Sequence, residues 1–271
     1  MHPFLSLGDR IVLDSWRVMV MLGILAGSLA SYMALKREVG RARAWVVVTL
    51  MFVAAPFGAH LAHWMLSPNL YRGDLHRLLV FWKDGHSLFG ALAFCSLLLL
   101  VISRGFPGIP FWPAADAFSL GTPLGLFFAR IGCYLKGCCW GTPIQPGHPF
   151  HGVSVKLVRN QLLVLHPVQL YSAAAALAIF CLLLLVRRRW KTPGIPAVLF
   201  ILLSTSARFF LEFFRGDTQG RSLFGVLTIY QEICLVLFFV GACLFVLLLR
   251  ATLDQRSGVS DVGPVPPAQN S

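Results

Sequence analysis

Acidic residues are scarce in this chain: 11 Asp and Glu in 271 residues, against 23 Lys and Arg. Charged residues make up only 13% in all, where a soluble domain carries about 25%. So little charge does not wet the surface of an ordinary soluble enzyme, and a hydrophobic content of 57% excludes a disordered chain. The net charge of +12 raises the question of nucleic acid. A nucleic-acid binder concentrates its positive charge in patches on a polar body, whereas these charges are scattered between long apolar runs, so no nucleic-acid partner is expected. The first fifteen residues contain Asp9, Arg10 and Asp14 and lack the basic start and apolar core of a cleavable signal. No 20–50-residue repeat of the kind that marks a solenoid is present.

What is present is hydrophobic length. A membrane-spanning helix needs about 20 largely apolar residues, and seven segments qualify: 16–35, 44–66, 87–103, 110–130, 168–186, 195–214 and 224–249. The expected fold class is therefore an all-α integral membrane protein with about seven transmembrane helices. The fourth segment contains three prolines and Asp116, which predicts a helix that is broken or buried among its neighbours. Lys36, Arg37, Arg41 and Arg43 follow the first segment, and Arg187, Arg188, Arg189 and Lys191 follow the fifth. Dense Lys and Arg in short loops mark the cytoplasmic side, so the amino terminus is expected outside and the carboxyl terminus inside. Residues 1–253 form one polytopic membrane domain in this reading. Residues 254–271, rich in Pro, Gly and Ser, read as a disordered cytoplasmic tail.

Some charges do not belong to loops. Asp116, Arg130, Arg208, Glu212, Arg215 and Glu232 lie within or at the ends of apolar runs, where a charge at the bilayer centre costs about 2.5–3.5 kcal/mol. Arg208 and Glu212 are four residues apart, on one helix face and able to pair; Arg215 follows on the same side. A structural ion pair with snorkelling arginines and a functional cationic cluster both fit Arg208-Phe-Phe-Leu-Glu212-Phe-Phe-Arg215. A second constellation runs from Arg130 through Gly132, Cys133, Tyr134, Lys136, Gly137, Cys138 and Cys139 to Gly141. Glycines let backbone N–H groups approach an anion, and guanidinium forks suit phosphate oxygens. This stretch could therefore hold a phospholipid headgroup, or it is a re-entrant turn whose glycines relieve crowding. The third constellation is His166-Pro167-Val168-Gln169-Leu170-Tyr171. Pro suits the first turn of a helix, so His166 would stand just outside the fifth span with Gln169 and Tyr171 in its first turns. A histidine there also serves as a plain interfacial anchor.

The seven cysteines divide into two groups. Cys95, Cys181, Cys234 and Cys243 sit in apolar runs as small hydrophobes. Cys133, Cys138 and Cys139 fall in a loop expected to face outward, where an oxidising compartment admits one disulfide. His148 and His151 follow, the right atom types for zinc, but no CxxC pair is present and adjacent cysteines make an awkward chelate. No metal site is expected.

These residues resemble the prolipoprotein diacylglyceryl transferase family. In its signature, Gly-Arg-x-Gly-Asn-Phe-x-Asn-x-Glu-x-x-Gly, the positions of Arg130, Gly132 and Gly141 match in register, and Tyr134 stands for Phe. The family's His-Pro-Ser-Gln-Leu-Tyr is matched by residues 166–171, and its Arg-Phe-x-x-Glu-Phe/Tyr-Phe-Arg by residues 208–215. The family's seven spans, outside amino terminus and inside carboxyl terminus agree with the topology read above. The departures are specific: Cys133 and Lys136 replace the two asparagines, and Cys138 replaces the glutamate. Phe89 occupies the place of the family's histidine before the third span, with His86 three residues earlier. Trp16 stands where an early tyrosine is expected.

The resemblance implies a bacterial inner-membrane transferase without a cofactor, acting as a monomer. Phosphatidylglycerol would be the donor, among membrane lipids, and the acceptor a cysteine thiol in a prolipoprotein signal peptide. Arg130 and Arg215 are the candidates for stabilising the departing phosphate, with His86 or His166 as general base. Trp16, Arg130, Gly132, Cys133, Lys136, Gly137, Cys138, Gly141, Gln169, Tyr171, Arg208 and Glu212 would bind substrate. A non-catalytic lipid-binding or transport protein on the same scaffold, or a related transferase with another lipid or acceptor, fits the same motifs.

Overall fold

The computed structural model describes residues 4–7, 11–66, 87–144, 155–158, 161–190, 192–216 and 225–260. Among the described residues there are seven helices: α1 (Ser15–Val39), α2 (Arg41–Leu66), α3 (Leu88–Gly105), α4 (Phe111–Lys136), α5 (Val168–Arg189), α6 (Ile195–Glu212) and α7 (Ile229–Ser260). All seven are long and apolar enough to cross a membrane, and the chain is an all-α multi-pass membrane protein. Two short antiparallel hairpins, which hydropathy alone does not predict, are added to the helices. Strands β1 (Phe4–Leu7) and β2 (Ile11–Asp14) pair Phe4 with Asp14 and Leu7 with Ile11. Strands β3 (Val155–Val158) and β4 (Gln161–Val164) pair Val155 with Val164 and Val158 with Gln161.

Helix α4 is neither broken nor short. It runs unbroken through Pro123 and ends at Lys136, six residues past the expected boundary. It packs against α1, α3, α5 and α6, which makes it the central helix of the bundle. Pro123 is fully buried, and hydroxyls bond carbonyls in the turn before it. Ser119 donates to the Asp116 carbonyl at 2.8 Å and Thr122 to the Phe118 carbonyl at 2.8 Å. Against α1 the backbones nearly touch. A Cβ added at Gly23 would lie 2.6 Å from the Gly125 carbonyl oxygen, and one at Gly27 would lie 2.7 Å from that of Gly121. Small residues allow this approach, which maximises van der Waals contact where no hydrophobic driving force separates helix from lipid.

One rim of the bundle collects the basic loops. Arg187 at the end of α5 donates to the Ala34 carbonyl at 3.1 Å and pairs with Glu38 at 3.4 Å. Asp116 lies on this half and is buried. Its carboxylate accepts from the backbone N–H of Gly194 at 2.7 Å and of Ala197 at 2.9 Å. It therefore caps the start of α6, where unpaired donors and the positive end of the helix dipole favour an anion. The charge inside the fourth span is thus structural. Beneath this rim Leu35, Val47, Leu183, Ile195 and Val198 are fully buried. The outer faces of α3 and α7 leave Leu97, Val101, Val236, Phe239 and Leu247 uncovered, as helices facing hydrocarbon do. Helix α7 continues to Ser260, past the boundary at 253 expected for the membrane domain; residues 261–271 lie outside the described residues.

Candidate functional site

The opposite rim receives the start of α1, the ends of α4 and α6, and the starts of α5 and α7. All three sequence constellations converge there. Arg130, Gly132, Cys133 and Lys136 occupy the last two turns of α4, not the loop in which Cys133 and Lys136 were expected. The reason is visible at Gly132, where a Cβ would lie 2.9 Å from the Met19 side chain and 3.3 Å from the Trp16 backbone. Gly132 seats α4 on α1 and does not open its N–H to an anion. Lys136 places its ammonium 3.8 Å from the Asp14 carboxylate and 4.9 Å from the centre of the Trp16 ring. Asp14 also caps α1, accepting from the N–H groups of Trp16 at 2.9 Å and Arg17 at 3.2 Å.

Gly137 ends α4 in the left-handed conformation, φ 75°, with its N–H donating to the Cys133 carbonyl at 3.0 Å. The chain then turns back across the rim. Residues 140–144 run as a short extended strip bonded on both sides. Toward α6, Thr142 N–H donates to the Phe214 carbonyl at 2.8 Å and Gly216 N–H to that of Trp140 at 3.1 Å. Toward α5, His166 N–H donates to the Thr142 carbonyl at 3.0 Å. Gly141 sits at the tightest point, where a Cβ would lie 2.5 Å from the His166 carbonyl oxygen. This strip is what brings the end of α4, His166 and Arg215 together.

The ion pair expected from the four-residue spacing is formed: Glu212, buried at 4% exposure, pairs with Arg208. Arg215 lies 3.9 Å from the same carboxylate oxygen. Two guanidiniums thus share one carboxylate, and the cluster keeps a net positive charge. Arg130 and Arg215 both act electrostatically on Arg208. The sequence reading missed the support for Glu212. Thr228 donates to its other oxygen at 3.2 Å. Thr228 is itself half of a capping box at the start of α7, since its N–H donates to the Gln231 side chain at 3.0 Å and its hydroxyl accepts from Gln231 N–H at 3.3 Å. The pattern Thr228-x-x-Gln231 was the available signal. Tyr230, between them, stacks its ring 5.4 Å from the Arg208 guanidinium.

His166 stands outside α5 as expected, although Pro167 precedes the first turn and does not begin it. Its Nδ1 lies 3.4 Å from the Tyr171 hydroxyl, and its ring meets Phe214 edge-on at 5.4 Å. Gln169 is 1% exposed and donates to the Cys138 carbonyl at 2.7 Å. It therefore holds the cysteine turn from beneath and does not face the rim. His86, like His148 and His151, lies outside the described residues.

All seven cysteines are free thiols. The Sγ atoms of Cys133, Cys138 and Cys139 lie within 4.8 Å of one another, which the adjacency of two of them in the sequence seemed to disfavour. Cys139 makes the cluster possible by adopting φ 57°, a left-handed conformation costing about 1–2 kcal/mol in an L-residue. Hydrogen bonding from Cys133, then from Cys138, draws the Cys139 thiol far below its ordinary pKa, and the charges of Arg215 and Arg130 add to this. Cys138, bonded to Cys133 and Cys139 and partly desolvated, is pushed the other way.

Residues 4–247 match the family model for prolipoprotein diacylglyceryl transferase. Among curated proteins, the phosphatidylglycerol–prolipoprotein diacylglyceryl transferase of Allorhizobium ampelinum is 32% identical over 174 residues, covering 59% of this chain and 56% of the relative. That of Nitrobacter winogradskyi is 30% identical over 189 residues, covering 68% and 62%. That of Tolumonas auensis is 28% identical over 204 residues, covering 74% and 77%. The chain thus matches little more than half the length of the first two of these relatives.

Proposed function

The chain belongs to the prolipoprotein diacylglyceryl transferase family, and from that premise we propose that it transfers a diacylglyceryl group from phosphatidylglycerol to the cysteine thiol of a prolipoprotein signal peptide. The observation that carries this reading is the convergence of Arg130, Arg208 and Arg215 at one rim of a membrane-spanning bundle, where Arg208 and Arg215 share the single carboxylate of Glu212. The thiol sulfur attacks C3 of the lipid glyceryl group, the C3–O bond breaks, and glycerol phosphate departs with the electron pair. Negative charge develops on the departing phosphate, and fixed cations aimed there are the largest available source of stabilisation.

Arg130 and Arg215 take that role, and Arg208 with Glu212 holds the shape. Phe210, Phe213 and Phe214 are exposed beside Arg215 and supply an apolar margin for the donor's acyl chains. His166 or His86 accepts the thiol proton. Gly137, Gly141, Gln169 and Tyr171 position the cysteine turn and His166. The chain works as a monomer in the bacterial inner membrane. Its cationic rim of Lys36, Arg37, Arg41, Arg43 and Arg187–Arg189 faces the cytoplasm, and the site faces outward.

Complementation tests the proposal: expression in cells depleted of their own prolipoprotein transferase should restore lipoprotein maturation, read as gel mobility. Correct membrane insertion without maturation would instead favour a non-catalytic lipid binder on this scaffold.

A further inference from the structure

The strongest unassigned feature is the three-thiol cluster. Cys133 lies in the last turn of α4, Cys138 follows the helix end, and Cys139 is set by its own left-handed backbone. The turn is anchored independently of the thiols. Cys138 N–H donates to the Cys133 carbonyl at 3.2 Å, Gln169 holds the Cys138 carbonyl, and Trp140 is bonded to Gly216. Backbone bonds of the fold therefore bring the sulfurs together, in addition to the hydrogen bonds among the thiols. Three thiolates around a d¹⁰ cation with metal–sulfur bonds of about 2.3 Å would sit about 3.8 Å apart; the observed 4.8 Å limit needs a contraction of about 1 Å. Sulfur donors select soft and borderline cations such as Cu(I) and Zn²⁺, and three ligands with an open fourth position suit zinc. Three thiolates with Zn²⁺ carry one net negative charge, and the nearby Arg215 and Arg130 offset it.

We propose that Cys133, Cys138 and Cys139 form a zinc site whose open fourth position receives the acceptor cysteine of the substrate. Among the described residues the cluster contains three ligands only, and three protein ligands with an open position are the pattern of catalytic zinc. A thiol bound to such a metal is deprotonated outright. In the reaction, which rests on the transferase reading above, the substrate thiol displaces water from zinc and loses its proton to the histidine base named there. The zinc-bound sulfur then attacks glyceryl C3, the C–S bond forms as C3–O breaks, and glycerol phosphate leaves with the bonding pair. The product thioether is a neutral, weak ligand and is replaced by water.

The experiment uses full-length reduced protein in lipid nanodiscs, titrated with Cd²⁺ as a spectroscopic substitute and with Zn²⁺ in competition. One equivalent of Cd²⁺ should produce a thiolate charge-transfer band. Each of Cys133→Ser, Cys138→Ser and Cys139→Ser should weaken Zn²⁺ binding by more than about tenfold, while Cys181→Ser leaves it unchanged. The band should grow when a cysteine-bearing signal peptide is added without donor lipid, and not with its serine counterpart. Binding no tighter than in the triple serine variant, or a disulfide between any two of these cysteines in the isolated protein, would overturn the site. A band indifferent to the cysteine peptide would overturn the open-position role. The two readings separate cleanly. Metal and peptide binding without lipoprotein maturation would contradict the transferase proposal alone. Maturation that survives both chelation and the triple serine substitution would contradict the zinc site alone.

Discussion

Gly141 and Arg215 face each other across a single antiparallel backbone bridge that ties the turn after α4 to the end of α6. These positions are 74 residues apart in the chain, and the bridge is what fixes Arg215 on the rim that Arg130 occupies. Gly141→Ala places a Cβ 2.5 Å from the His166 carbonyl and 2.7 Å from the Val168 side chain. Backbone cannot yield as a flexible side chain does, so the variant should lose about 1–3 kcal/mol and most of its transfer activity. Thermal unfolding in detergent and lipoprotein maturation in depleted cells read the two effects.

Arg208 and Arg215 share the carboxylate of Glu212. Neutralising it strands buried positive charge, and removing one member of a buried pair costs about 3–5 kcal/mol. Glu212→Gln should therefore abolish accumulation of folded protein, or lower its thermal midpoint sharply. Thr228→Ala removes the hydroxyl that both caps α7 and supports Glu212, and should cost about 1–2 kcal/mol. A Glu212→Gln variant as stable as wild type would show that the cluster does not need its carboxylate.

Asp116 provides the control at the other rim. Asp116→Ala leaves the N–H groups of Gly194 and Ala197 without their acceptor, a loss of about 1–3 kcal/mol for buried donors. Stability should fall while the rate per folded molecule stays at the wild-type level, since the residue lies half a membrane away from the arginines. Activity assays normalised to folded protein check this.

In metal-free protein Cys139 should behave as a thiolate. Its neighbours Cys133 and Cys138 donate to it and Arg215 and Arg130 stabilise its charge. The sign is that of an acid with a depressed pKa: the reactive form persists as pH falls. Alkylation of Cys139 should fall less steeply between about pH 8 and pH 6 than that of an ordinary thiol, which ionises near 8.5 and loses about tenfold per unit. Peptide mass mapping after brief alkylation measures it. A Cys139 rate that falls in step with free cysteine would contradict the assignment.

Much of this arrangement was legible beforehand. Seven apolar runs located seven helices, because spanning length is a property of local composition. The Arg208–Glu212 pair followed from helical spacing. Of the two alternatives for α4, broken or buried, the structure shows the buried one, because its three prolines are accommodated by position: Pro110 precedes the helix, Pro113 falls in its first turn, and Pro123 is sheltered by neighbours. Cys133 and Lys136 lie in α4 and not in the expected loop because Gly132 packs on α1 and carries the helix on to Gly137. The cysteine cluster was hidden by a backbone choice, the positive φ of Cys139, which no propensity assigns to that residue. The role of Thr228 was written in a capping-box pattern but became meaningful only once α7 was seen beside Glu212.

The most direct test of the account is the mass of an acceptor peptide. Purified protein in phosphatidylglycerol vesicles is supplied with a signal peptide bearing one cysteine, and the products are resolved by mass spectrometry. The account predicts a mass gain of one diacylglyceryl group, linked as a thioether, with release of glycerol phosphate. Arg130→Ala and Arg215→Ala should each lower the rate by about 10²–10³. An unmodified peptide, with folded protein and both substrates present, would contradict the transferase reading; full rates in both arginine variants would contradict the role given to Arg130 and Arg215.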